Sequence, residues 1–284
     1  MQEFEYFEPR NIDEAVSLLV KYGGAARVIA GGTDLVLRMQ MGTRKPRYLI
    51  NIKAITGLDD IRCNGEIRIG ATTTLSDMAT SAELQNQCPL LADVARQFAS
   101  ITVANMATLG GNLCNASPAA DTAAPLMVLS ARANISGPDG NREVLLTDFF
   151  TGPGSTVMKP DELLTEIRIP VPSPNDRWAY IKHGIRSVSD LAVASVAVVA
   201  SIEQDIFTNT QIALGAVAPT PLKASQVEDA LKGKEATTEN IDKAAQLIKE
   251  QCYPISDVRA SAEYRTEIAY VLTRRALLSC LNAK

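Results

Sequence analysis

The chain has 284 residues, 46% hydrophobic and 21% charged, the profile of a folded protein with room for two domains, or one domain with a sizeable appendage. A formal net charge of -4 offers no basic face for a nucleic acid, and no apolar run reaches the roughly eighteen residues of a membrane-spanning helix. One histidine, His183, and five cysteines without C-x-x-C spacing argue against zinc, di-iron and iron–sulfur sites on this chain and leave little room for Ser-His chemistry. Any catalysis would then be carried by a bound cofactor. The start, MQEFEYFEPR, lacks a basic segment followed by an apolar one, so a cytoplasmic location is expected.

Phe4 to Phe7 alternates as a short strand. Asn11 and Glu14 have capping-box spacing ahead of a helical stripe of Ala15, Leu18, Leu19 and Tyr22, and Gly23-Gly24 supplies its stop. Val28-Ile29-Ala30 reads as a buried strand and Gly31-Gly32 as a turn. Thr33 or Asp34 can then cap a short helix over Leu35 to Met41. Such a strand, glycine turn and helix start is a potential phosphate cradle, although G-x-G-x-x-G and P-loop patterns are both missing. Strands are predicted for Tyr48–Ile52 and Glu66–Gly70, a helix start after Thr72-Thr73-Thr74 with Ser76 and Asp77 in its first turn, and an amphipathic helix over Pro89–Phe98.

Residues 104–130, ANMATLGGNLCNASPAADTAAPLMVLS, carry one charge, Asp121. The paired glycines of Thr108-Leu109-Gly110-Gly111-Asn112 predict a turn with positive φ and an open approach for a ligand. Ser117-Pro118 predicts a helix start. Together they predict free amide groups that would attract phosphate. Taken without further context, a tight buried turn explains the same residues equally well.

Gly137-Pro138-Asp139-Gly140 between apolar runs is a hairpin signal. Phe149 to Gly154 reads as a loop and Leu163–Ile169 as a strand. Three prolines within Pro170–Pro174 mark a linker. Beyond it, Trp178–Ile181, Leu191–Ile202 and Ile206–Val217 read as strands, followed by helices at about 222–232, 238–251 and 258–282. Strands followed by helices predict an α+β unit, its small sheet covered on one face.

Ala30-Gly31-Gly32-Thr33-Asp34, Thr108-Leu109-Gly110-Gly111-Asn112 and Ala116-Ser117-Pro118-Ala119-Ala120-Asp121 together resemble the flavoprotein subunit or flavin domain of the molybdenum hydroxylases. These include xanthine dehydrogenase, carbon monoxide dehydrogenase and aldehyde oxidoreductases. The resemblance runs nearly end to end, through Ile69-Gly70-Ala71, Asp161-Glu162-Leu163-Leu164, Ile181-Lys182 and Gly215 to Pro221. It implies an α+β chain: a two-lobed FAD-binding fold of vanillyl-alcohol-oxidase type over 1–170, with lobes of about 1–55 and 56–170, then a small α+β C-terminal domain over 175–284.

By this resemblance, Arg27, Val28, Ile29, Ala30, Gly31, Gly32, Thr33 and Asp34 cradle the FAD diphosphate. Thr108, Gly110, Gly111 and Asn112 line its second side and the ribityl chain. Ser117 and Asp121 stand near the phosphates and the sugar-adenine end, Leu164 against the adenine or ribityl region, and Lys182 beside the isoalloxazine, where it would stabilise negative charge on the reduced flavin. Phe98 matches an aromatic position near the flavin but equally suits a core. Gly152-Pro153-Gly154 stands where animal xanthine dehydrogenases carry a bulky aromatic residue, which leaves the electron acceptor open.

The implied function is electron transfer. A molybdenum cofactor on a large subunit and [2Fe-2S] clusters on a small subunit would feed FAD on this chain, which passes electrons to NAD or another acceptor, in a dimer of heterotrimers. A stand-alone FAD dehydrogenase would need a substrate base that a histidine-poor chain does not offer, and a flavin-free assembly subunit would not need the glycine motifs.

Overall fold

The computed structural model describes residues 2–186 and 189–282. Its first sheet is small and parallel. It comprises β1 (Glu5–Phe7), β2 (Ala26–Ile29) and β3 (Tyr48–Asn51), with β3 in the middle. Helix α1 (Ile12–Tyr22) links β1 to β2 and buries Ala15, Val16 and Leu19. Asn11 caps it by accepting from Glu14 N at 2.8 Å. The return half of the expected capping box is displaced by one residue, because the Glu14 carboxylate accepts from Arg10 N. Gly23 ends the helix at φ +51°, where a Cβ is disfavoured. Helix α2 (Leu35–Gln40) follows the Gly31-Gly32 loop.

The second sheet has order β4-β5-β10-β6-β7, from β4 (Ile61–Cys63), β5 (Glu66–Gly70), β6 (Arg132–Gly137), β7 (Gly140–Leu145) and β10 (Leu163–Pro170), all antiparallel. Between β5 and β6 run α3 (Leu75–Thr80), α4 (Ala82–Gln87), α5 (Pro89–Arg96), α6 (Ile101–Ala104), α7 (Leu109–Cys114) and α8 (Ala123–Val128). They cover the sheet with Leu75, Met78, Leu84, Leu90, Leu91, Val94, Leu109 and Leu126. Thr74 caps α3 in a full capping box with Asp77. The segment Phe149 to Gly154, read as a loop, instead starts at the last residue of α9 (Leu146–Phe149) and runs into a hairpin of β8 (Phe150–Gly152) and β9 (Ser155–Thr156). Phe149 is fully buried there, so core packing overrides the local glycine and proline signals.

After Pro170 come β11 (Asp176–His183), β12 (Ala194–Glu203), β13 (Ile206–Gly215) and β14 (Leu222–Lys223), antiparallel in that order. Helices α10 (Ser225–Leu231), α11 (Thr238–Gln246), α12 (Ile248–Gln251) and α13 (Ala262–Asn282) complete the chain. The expectation of one covered face is corrected. Val196, Val198 and Ala200 of β12 pack against α10, α11 and α13, while Ala197 and Val199 join the core that includes α5 and α8. The apolar run from Val196 to Ala200 fits this two-sided burial, since a half-exposed strand would alternate.

Candidate functional site

Four loops are linked in series by close contacts. The first joins β2 to α2. A Cβ built on Gly31 would overlap the Met106 carbonyl oxygen and stand 2.8 Å from its carbon and 3.0 Å from Ala107 Cα. Glycine is therefore required for this loop to lie against residues 106–107. Gly32 has φ +70°, the left-handed region that favours glycine. Backbone N–H groups of Gly31, Gly32, Thr33, Asp34 and Leu35 donate to no partner among the described residues. Thr33 and Asp34 are exposed, and Asp34 precedes α2 without a side-chain cap bond. Five neighbouring donors without a partner among the described residues are of the kind that can serve an anion such as phosphate.

The second loop corrects an expectation. Gly110 and Gly111 lie inside α7 and have no positive φ. Their amides are not free either. Leu109 N donates to Thr73 O, Gly110 N to Ala71 O at 2.9 Å, and Asn112 N to Thr108 O. Thr108 caps the helix by accepting from Gly111 N at 3.1 Å. The glycines serve packing: a Cβ on Gly110 would come 2.7 Å from Ala71 O, and one on Gly111 would come 2.8 Å from the capping Thr108 hydroxyl. Thr108 also bridges to Thr74. Asn112 accepts from Thr122 Oγ1 at 2.6 Å, a bond that leaves its NH2 group unused.

The third loop, 115–122, is also corrected. Ser117-Pro118 forms turns, and the helix begins only at Ala123. Ser117 Oγ accepts from Ala119 N at 3.3 Å. The fourth loop, between β8 and β9, reaches it through Gly154 N, which donates to Ala116 O at 2.9 Å. The end of β13 meets it too, since Ala216 N donates to Pro118 O at 2.7 Å. Asp121 is buried and pairs with Lys182 Nζ of β11 at 2.7 Å, with Tyr180 Oη at 3.4 Å. Burial pushes the Asp121 carboxyl above its ordinary range, and Lys182 opposes that rise.

Three of the expected residues stand apart. Leu164 is 2% exposed inside the core of the second sheet, where it offers a ligand no surface. Arg27 lies near the start of β2, and its guanidinium donates to Gly24 O and Ala26 O, away from the Gly31 loop. Phe98 is packed against the core. Lys182 is not an unpaired cation, because Asp121 compensates it. The roles expected for these two lie at different ends of a dinucleotide, and the structure joins them in one ion pair.

The family model described as the FAD-binding domain in molybdopterin dehydrogenase matches residues 2–172. The chain belongs to that family. Residues 179–280 match the CO dehydrogenase flavoprotein C-terminal domain. Among relatives of this flavin-binding family, the carbon monoxide dehydrogenase medium chain of Afipia carboxidovorans is 37% identical over 275 residues, covering 96% of this chain and 95% of its own length. The xanthine dehydrogenase FAD-binding subunit of Escherichia coli is 27% identical and covers 98% and 96%. The solved carbon monoxide dehydrogenase of Hydrogenophaga pseudoflava that lacks the Mo-pyranopterin moiety superposes with a TM-score of 0.96 at 35% identity, covering 98% and 97%.

FAD is therefore the group the loops have to fit. The Gly31–Leu35 amides suit its diphosphate, and Gly31 having no Cβ lets their loop lie against Met106 and Ala107. A separate cleft of about 470 Å³ lined by residues of β4 and α4 shares no residue with these loops. Sequence reasoning named Gly154 and Ala216 but missed their role, which is to position the 115–122 loop through backbone bonds. Ala216 left one trace, its place in the family-like run from Gly215 to Pro221.

Proposed function

We propose that this chain is the FAD-binding, electron-transfer subunit of a molybdenum-containing hydroxylase or dehydrogenase. The observation that carries the reading is the run of five amides at Gly31–Leu35 without a partner among the described residues, held against Met106 and Ala107, in a chain whose residues 2–172 match that flavin-binding family and whose residues 179–280 match the CO dehydrogenase flavoprotein C-terminal domain. When bound, FAD supplies electron exchange with both a donor centre and an acceptor.

In this reading residues 1–170 form a two-lobed FAD-binding domain of vanillyl-alcohol-oxidase type, with lobes of about 1–55 and 56–170, and 175–284 the C-terminal domain. Ala30, Gly31, Gly32, Thr33 and Asp34 hold the diphosphate through the backbone. The Asn112 amide and the Ser117 hydroxyl supply polar contacts on the opposite wall. Thr108, Gly110 and Gly111 build that wall without donating to the cofactor. The Asp121–Lys182 pair fixes the side formed by the C-terminal sheet. Electrons arrive from [2Fe-2S] clusters on a small subunit, themselves fed by a molybdenum cofactor on a large subunit, and leave to NAD or another acceptor. The complex is a cytoplasmic dimer of heterotrimers. Among the described residues no helix is long and apolar enough to cross a membrane, and no cluster of metal-binding side chains occurs.

The test is the visible absorption spectrum of the purified chain, with the released cofactor identified after denaturation. Stoichiometric FAD is expected. A colourless protein that takes up no added FAD would overturn the proposal.

A further inference from the structure

Arg265 lies on the face of α13 that is pressed onto the C-terminal sheet, with 1% of its surface exposed. A guanidinium in such a place needs acceptors at fixed positions. Its Nη1 donates to Val193 O at 2.7 Å and Ala216 O at 3.3 Å, and its Nη2 to Asp257 Oδ1 at 2.7 Å. Its Nε has no partner among the described residues. An apolar side chain of similar size would join helix to sheet with less desolvation, so the two carbonyls call for a more specific account.

Both carbonyls belong to residues whose other bonds lead to the loop 115–122. Val193 N donates to His183 O at 2.8 Å, next in sequence to Lys182, which holds Asp121. Ala216 N donates to Pro118 O. Ala216 has φ +65°, a conformation that a residue with a Cβ rarely adopts unless its surroundings impose it. The adjoining Gly215 has no room for a Cβ, which would come 2.6 Å from Ser195 Oγ. The 115–122 loop is thus held at Pro118 and at Asp121, and one side chain stands behind both holds.

We propose that Arg265 is a positioning residue for the FAD site: by fixing Ala216 and Val193 it sets where residues 117–121 lie, and through them the affinity and environment of the cofactor. The proposal rests on the FAD reading of those loops. Arg265 has no hydrogen bond to residues 117–121, so its influence passes through backbone bonds.

The test compares the full chain with its Arg265→Met, Arg265→Lys and Leu272→Ala variants. Leu272 is 4% exposed on the same helix and reports general loosening of α13. Apoprotein stability is measured by urea unfolding, FAD affinity by titration, and the reduction potential of the bound flavin by redox titration. Arg265→Met is expected to weaken FAD binding at least about tenfold beyond a stability-matched Leu272→Ala and to shift the potential. Arg265→Lys is expected to recover stability but only part of the affinity, since an ammonium cannot reproduce the planar fork.

If affinity simply follows stability across all variants, with the potential unmoved, the proposal fails. Should Arg265→Met not fold, Arg265→Lys against Leu272→Ala decides by the same criterion. A wild-type chain that binds no FAD overturns the reading of the site and this proposal with it, whereas a wild-type that binds FAD while the variants track stability overturns this proposal alone.

Discussion

Lys182 Nζ lies 2.7 Å from Asp121 Oδ2, with only 11% and 10% of the two side chains exposed, and the pair joins the C-terminal sheet to the loop ahead of α8. Removing one partner of such a pair strands a buried charge, at a cost of about 3–5 kcal/mol. Lys182→Met is therefore expected to destabilise the protein strongly, and Lys182→Met/Asp121→Asn to recover much of the loss. Urea unfolding of both variants is the check; costs that simply add would show the two residues to be uncoupled. With FAD bound, the single variant should lower the flavin potential and the double variant return it.

The same pair predicts a pH dependence. The Asp121 carboxyl is raised from its ordinary 3.8 by burial. Protonation is thus favoured by folding, and the stability this contributes is present below 3.8 and lost as pH rises through the raised value. Lys182→Met removes the opposing charge and raises that value further. The variant should lie closer to wild type in acid than at neutral pH. A difference independent of pH would remove Asp121 as the cause.

Glu162 behaves oppositely. Its carboxylate accepts from Arg142 Nε at 2.7 Å and Nη2 at 2.8 Å, and from Lys159 N. The Arg142 bond holds its carboxyl below the ordinary 4.5. The stability it contributes is present above 4.5 and lost as pH falls through the lowered value. Glu162→Gln should flatten the acid limb of stability against pH. An acid limb as steep as that of wild type would assign it to other carboxylates.

Gly31→Ala and Gly24→Ala form a matched pair. A Cβ at Gly31 collides with the Met106 carbonyl, while one at Gly24 meets nothing within 4 Å. Gly31→Ala is expected to cost about 1–3 kcal/mol through forced backbone movement and to lose FAD. Gly24→Ala should stay within about 0.5 kcal/mol and keep it. Equal FAD content in the two variants would show that the loop tolerates displacement.

Thr108→Ala removes the cap of α7 and should cost about 1 kcal/mol. Gly111→Val strikes the same hydroxyl from the other side, since a Cβ there stands 2.8 Å from Thr108 Oγ1. The two substitutions should therefore be less than additive in a double variant. Full additivity, measured by thermal or urea unfolding, would separate Gly111 from the cap.

Much of the fold is legible in local patterns. The Asn11 cap, the Gly137–Gly140 hairpin and the apolar run of β12 all mark their elements, because each is decided by residues a few positions apart. The hairpin of β8 and β9 was hidden, since burial of Phe149 outweighs the loop-like composition around it. Of the candidate site, the strand, turn and helix start around Gly31-Gly32 are legible, because they are contiguous.

By itself the amino-acid sequence, with one histidine and no C-x-x-C spacing, made a bound cofactor the expected carrier of any catalysis, and the resemblance of its paired motifs to the molybdenum hydroxylase flavoproteins implied FAD. Only the tertiary structure decided which glycine motif keeps its amides free. Those at 109–112 are taken by Ala71, Thr73 and Thr108, whereas those at 31–35 face no partner among the described residues. It also decided that Lys182 is neutralised by Asp121, 61 residues away. Both outcomes depend on which distant backbone or side chain satisfies a polar group, and no local periodicity encodes that choice.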